Sequence, residues 1–116
     1  MNAPDEIPES LRLAGITPPG IEGEDLAWNK ADALAVVESL RGTRVAITGG
    51  DVYSLVSWGC LPTGEAWECD RLHLEDSLAY ARRSRDAAMA FIQSHAVDRE
   101  GDFLYVLIFS RQDTAA

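Results

Sequence analysis

The stretch TRVAITGGDVYSLVSWGC, residues 43–60, sets the strongest constraint on the fold. Two strand-like runs stand side by side with room between them only for a turn. TRVAIT places Val45 and Ile47 on one face, and DVYSLVSW alternates Val52, Ser54, Val56 and Trp58 against Tyr53 and Leu55. A period of two with β-branched and aromatic residues is the pattern of a strand. Glycine permits the positive φ of a two-residue hairpin loop. The Asp51 carboxylate can accept from nearby backbone N–H groups and fix such a turn. These residues predict a hairpin over 43–58 that reverses at Gly49-Gly50-Asp51. A phosphate loop would instead need a helix after the glycines, with its N–H groups facing the phosphate, and a Lys-Ser/Thr pair. A strand follows, so that reading falls. Asp51 with Glu65 or Glu68 has the residue types of a catalytic carboxylate pair. Yet His73 and His95 are the only histidines, and no Ser-His or Cys-His arrangement accompanies them. The sequence is read as non-enzymatic.

The remaining segments predict a single α+β domain over 1–116. Residues 1–27 are acidic and partly irregular. They hold one short helix, PESLRLAG, with Pro8 early and Gly15 as its stop, followed by the loop ITPPGIEGED. KADALAVVESLRG reads as a helix, with Asp25 or Asn29 as its cap and Gly42 as its end. GCLPTGEAWECDR reads as a loop from its Gly, Pro and Thr content. A long helix is expected over about 74–95, with Leu74, Leu78, Ala81, Ala88 and Ile92 on one face and Asp70 as its cap. Arg82 and Arg83 sit one turn from Asp86. AVDREGD is an exit loop, FLYVLIF within 102–109 a buried strand, and RQDTAA a frayed tail. A sheet of at least three strands follows. A right-handed crossover would set the last strand parallel to DVYSLVSW, with TRVAIT between them.

Charge narrows the partners. Nineteen acids oppose ten bases, for a net charge of -9, and only Lys30 among the bases is lysine. Such a chain repels nucleic acid and anionic membrane, and it attracts basic proteins. No apolar run approaches the roughly 18 residues that span a bilayer. MNAPDEIPES lacks the basic start and apolar core of a signal peptide, so a cytoplasmic protein with free thiols at Cys60 and Cys69 is expected. Cys60, Cys69 and His73 lack CxxC spacing and a fourth ligand, and neither metal nor cofactor is expected.

Unusual residues concentrate again in WGCLPTGEAWECDRLHLEDS, where Trp58 and Trp67 lie among Glu65, Glu68, Asp70, Glu75 and Asp76. Trp and Tyr are enriched in interfaces, and acids beside them suit a basic protein. Trp58, on a strand, reads as core; Trp67 reads equally as core or as an interface anchor. At these residues the sequence resembles the immunity protein 40 family of bacterial polymorphic toxin systems. The resemblance rests on GGDVY at 49–53, the Trp58-to-Cys60 strand end and GEAWE at 64–68. Ser77, Ala81 and Phe91-Ile92 on a helix and the closing FLYVLIF extend it, so that it covers roughly residues 30–109. It implies a non-catalytic α+β protein that neutralises a cognate toxin domain, with a basic nuclease as the target that the charge suggests. The candidate partner surface is Asp51, Tyr53, Glu65, Trp67 and Glu68, with Trp67 as anchor and Asp51 serving the turn or the partner. Two other readings stand beside it. One is an adaptor or structural module for another basic protein. The other is a small enzyme or ligand-binding domain with Asp51, Glu65 and His73 in one pocket.

Overall fold

The computed structural model describes residues 3–17, 25–97 and 101–112. The elements run α1 (Glu9–Ala14), β1 (Ala27–Trp28), α2 (Lys30–Ser39), β2 (Val45–Val56), β3 (Gly59–Glu68), α3 (Ser77–Ser94) and β4 (Asp102–Arg111). The strands form one antiparallel sheet in the order β1-β4-β2-β3, with α2 and α3 against one face. The α+β class expected from the sequence holds.

Several elements differ from the sequence expectation, each for a physical reason. The chain does not reverse at Gly49-Gly50-Asp51. Those residues lie inside β2, a continuous strand of 12 residues, and the reversal falls at Ser57-Trp58, between paired Val56 and Gly59. The segment expected as a loop, GCLPTGEAWE, is β3 itself. Its Pro62 is tolerated because β3 is an edge strand, where a missing N–H costs no ladder bond. The final strand is antiparallel to β2 and hydrogen-bonded to it directly; the crossover through α3 instead sets it parallel to β3, with β2 between them. Most of ITPPGIEGED, the centre of AVDREGD and the end of RQDTAA lie outside the described residues.

The glycines serve close approach and not a turn. A Cβ on Gly50 would stand 2.3 Å from the Trp67 ring and 2.3 Å from the Val106 carbonyl oxygen. On Gly49 it would stand 2.5 Å from the Trp67 carbonyl oxygen. Only hydrogen fits where the Trp67 ring crosses β2. Next to this crossing β2 carries an extra residue against β4 between Ile47 and Gly49, and β3 carries extra residues against β2 opposite Asp51 to Tyr53.

The first irregularity is matched by polar groups on α3. Ser84 Oγ accepts from the Ile47 N–H at 3.0 Å and donates to the Ala81 carbonyl at 2.8 Å. Arg85, also buried, donates to the carbonyls of Thr43 at 3.0 Å and Val45 at 2.9 Å. Buried polar groups of this kind are stable only when paired. Together they rotate α3 relative to the apolar stripe expected from the sequence. Tyr80, Ala81, Ser84, Ala88 and Ile92 are buried, whereas Leu78 is exposed and Leu74 lies outside the helix. Asp76, not Asp70, occupies the N-cap position.

α2 begins as expected, with Asn29 Oδ1 accepting from the Asp32 N–H at 2.8 Å, and Gly42 follows it with φ +80°. The core joins Trp28, Val36, Val37 and Leu40 to Ile47, Val52, Ile92, Tyr105 and Leu107. The N-terminal segment is part of it. Ile7 is fully buried, Trp28 Nε1 donates to the Leu11 carbonyl at 2.7 Å, and Arg111 pairs with Glu6.

Gly50→Ala is expected to destabilise the protein by about 1–3 kcal/mol or more, because one clash is with backbone that cannot move aside. Urea unfolding measures this; an unchanged midpoint would show that the Trp67 crossing does not require glycine.

Candidate functional site

The five residues singled out from the sequence fall on two faces of the sheet. Directly opposed residues in an antiparallel pair share a face. Asp51 opposes Val106 and Ala66, Tyr53 opposes Leu104, and Glu68 opposes Gly49, whose other neighbour is Ile108. Val106 and Leu104 belong to a small apolar cluster with Ala27, separate from the helix-side core. Asp51, Tyr53 and Glu68 therefore lie on the face turned away from the helices. Trp67, opposite Gly50, packs against the helix-side core, and Glu65 reaches the same side.

On the helix side, the Trp67 ring stacks on Phe91 with centroids 4.5 Å apart. Phe91 in turn stacks on His95, whose ring meets Phe103 and Tyr105 edge-on. His95 is buried, with Nδ1 hydrogen-bonded to the Tyr105 hydroxyl at 2.8 Å and Nε2 to Glu65 Oε1 at 3.1 Å. Lys30 Nζ donates to the His95 carbonyl at 2.6 Å, so the end of α3 is held from α2, β3 and β4 together. The sequence placed His95 near a helix end but gave no sign of this aromatic and polar cluster, which long-range pairing creates.

On the outer face, Asp51, Glu68 and Asp70 border a shallow depression floored by Gly49 and Gly50. Burial, with the nearby carboxylates of Asp51 and Asp25, pushes the Tyr53 phenol above its ordinary range. These acids lie on an open strand face and not in a cleft. Glu65 is on the opposite side of the sheet, and His73 is exposed in the loop after β3, so Asp51, Glu65 and His73 do not share a pocket. Cys60 lies at the start of β3 opposite Leu55 and Cys69 just past its end beside Thr48, about 23 Å apart at the rise of the seven β2 residues between those partners. Both are free thiols, and among the described residues no group of three or more metal-type ligands converges.

Two exposed features escaped the sequence reading. Trp58, expected in the core, stands at the β2–β3 reversal and is 74% exposed. Residues 74–76, expected as the start of the long helix, belong instead to a separately braced loop over 70–76. The Glu75 carboxylate accepts from Arg83 Nε and Nη2, both at 2.8 Å, and from the Leu72 N–H at 2.9 Å. Arg71 donates twice to the Glu75 carbonyl, at 2.9 and 2.7 Å, and Arg83 also reaches the Asp70 carbonyl at 2.6 Å. Arg83 thus pairs with Glu75 and not with Asp86. Within this brace Leu74 has φ +65°. That conformation costs a residue with a Cβ about 1–2 kcal/mol. The mixture of leucines, charges and a helix-like period concealed the loop in the sequence.

The family model for Immunity protein 40 matches residues 10–109. The chain belongs to that family, and the match reaches further toward the N-terminus than the resemblance in the sequence, taking in α1 and β1. Membership in a family of immunity proteins points to a toxin-neutralising role and to a protein partner. No curated protein and no solved structure matches the chain. No helix among the described residues is long and apolar enough to cross a membrane.

Two measurements probe this geometry. Trp67→Ala is expected to cost about 3 kcal/mol of stability, since it removes the Phe91 stack and leaves a void over Gly50. A change under about 0.5 kcal/mol in urea unfolding would place the ring outside the core. Arg83, and then the Leu72 N–H, hold the Glu75 carboxyl down at about 2, against an ordinary 4.5. A depressed carboxyl stabilises fully above its unfolded value, so this contribution is complete above about pH 4.5 and is lost as pH falls through about 2. An NMR titration should find the Glu75 midpoint near 2, moving toward 4.5 in Arg83→Gln. A parent midpoint at the ordinary value would refute the brace.

Proposed function

We propose that this chain is a non-catalytic, cytoplasmic immunity protein that binds and neutralises the toxin domain of its own polymorphic toxin system. The observation that carries the reading is the family match over residues 10–109. The partner surface is the outer strand face bearing Asp51, Tyr53 and Glu68, extended by Asp25 and Asp70. Trp67 packs on the opposite side of the sheet and holds the strands that floor the depression in place from the core side. Glu65 supports this floor indirectly, by fastening β3 to His95.

The partner is a basic protein, and a nuclease suits the charge best. A toxin that binds nucleic acid presents clustered Lys and Arg to phosphate. An acidic face on a chain of net charge -9 is complementary to such a surface. Long-range attraction of this kind accelerates encounter and selects against acidic partners. A preformed sheet face also binds with little ordering cost.

The test is association kinetics with the purified, inactivated toxin domain encoded beside this gene. Asp51→Asn combined with Glu68→Gln should slow association about three- to tenfold at low salt, with dissociation changing less. The difference should shrink at high salt as the charges are screened. Equal association rates for parent and variant would remove the acids from the partner surface.

A further inference from the structure

The loop over 70–76 combines three properties that rarely occur together on a surface without a partner. It is apolar, it is strained, and it is rigid. Leu74 is 90% exposed, Leu72 is 59% exposed and Leu78, in the first turn of α3, is 44% exposed. Isolated exposed leucines are ordinary. Here three lie within seven residues, and the most exposed holds a positive φ that its side chain disfavours. Backbone strain of this kind persists only where the surroundings enforce it, and it collects at functional sites.

The enforcement is visible. The Glu75 carboxylate and carbonyl are gripped by Arg83 and Arg71 from two sides, and the Leu72 N–H closes onto the same carboxylate. The Arg83 guanidinium lies 5.7 Å from the Tyr80 ring centroid, and the Tyr80 hydroxyl donates to the Cys69 carbonyl at 2.6 Å. This brace spends both of the loop's arginine contacts inside the protein. Asp70 and Asp76 are exposed on either side of Leu72 and Leu74. Asp70 also borders the acidic depression of the outer sheet face, so the two surfaces are continuous.

We propose that the 70–76 loop is a preorganised anchor on which Leu74 enters an apolar pocket of the toxin domain, while Asp70 and Asp76 meet basic residues at the rim of that pocket. The inference rests on the immunity reading above and adds the residue that carries most of the contact. The geometry is that of a hot spot: an apolar knob fixed before binding, surrounded by polar groups that select the partner. The charge of the rim specifies a basic partner and disfavours a second copy of this acidic chain. Fixing the knob in advance lowers the ordering cost and lengthens the life of the complex.

Substitutions at Leu74 separate this role from a structural one, because the side chain has no core to support. Leu74→Asn accepts a positive φ and keeps a side chain of similar size without its apolar character. Leu74→Gly removes the strain together with the side chain. Both variants should retain Tm within about 3 °C of the parent or above it. Both should weaken binding to the inactivated toxin domain encoded beside this gene about tenfold or more, mainly through faster dissociation, as read by biolayer interferometry. Leu74→Met, which keeps an apolar side chain, should bind within about threefold of the parent.

If the parent binds and Leu74→Asn binds equally well, the anchor is overturned while the immunity reading stands. If the parent itself does not bind, the immunity reading fails and the anchor with it. Sedimentation supplies the remaining arm. A parent dimer that Leu74→Asn abolishes would assign the loop to self-association and overturn the proposal.

Discussion

The Trp67 ring laid over Gly50 is the contact on which the other features of this structure depend. Its ring occupies space that any side chain on Gly50 would fill, and its far side stacks on Phe91 of α3. One residue therefore joins the edge strand, the central strand and the long helix. β3 could not otherwise be held firmly. It is an edge strand interrupted by Pro62 and Gly64, with much of its length exposed. The aromatic series from Trp67 through Phe91 and His95 to Tyr105 carries the same fastening to β4.

Close packing at this crossing is accompanied by irregular pairing nearby, and α3 absorbs its consequences. Ser84 takes the Ile47 N–H, and Arg85 takes two carbonyls before β2 settles into its ladder. These polar residues stand on the helix face where a simple amphipathic pattern would place apolar ones. They are stable there because Ser84 accepts from a strand N–H and Arg85 donates to carbonyls at the start of the strand, so each polar group is paired. The same rotation of α3 leaves Leu78 outward and detaches Leu74 from the helix. The exposed leucine loop is thus the other side of how α3 meets the sheet.

The motif residues of β2 and β3 serve both faces of the sheet. A strand that alternates sides delivers Asp51 and Glu68 to solvent while its neighbours Gly50 and Trp67 face the helices. The motif pair GGDVY and GEAWE is consequently a packing device and a surface device at once. Its glycines and tryptophan build the crossing, and its acids emerge beside it. Asp51 serves no hairpin turn, because no turn exists at its position.

Much of the fold was legible from local pattern. The Asn29 cap, the α2 helix, the apolar closing strand and the overall α+β class each depend on residues close in sequence, where propensity and periodicity act directly. The motif pair that marks the family was legible as well, since order and spacing are properties of the chain itself. The direction of β4, the strand character of 59–68 and the meaning of the glycines were decided only by tertiary structure. Gly-Gly before a polar residue is locally a turn signal, and only a tryptophan 17 positions later makes it a crossing. The brace around Leu74 likewise needs Arg83 from the second turn of α3 to reach back to Glu75. Local energetics chose the elements. The competition for space under one indole ring, and the pairing of polar groups far apart in sequence, chose how they fit.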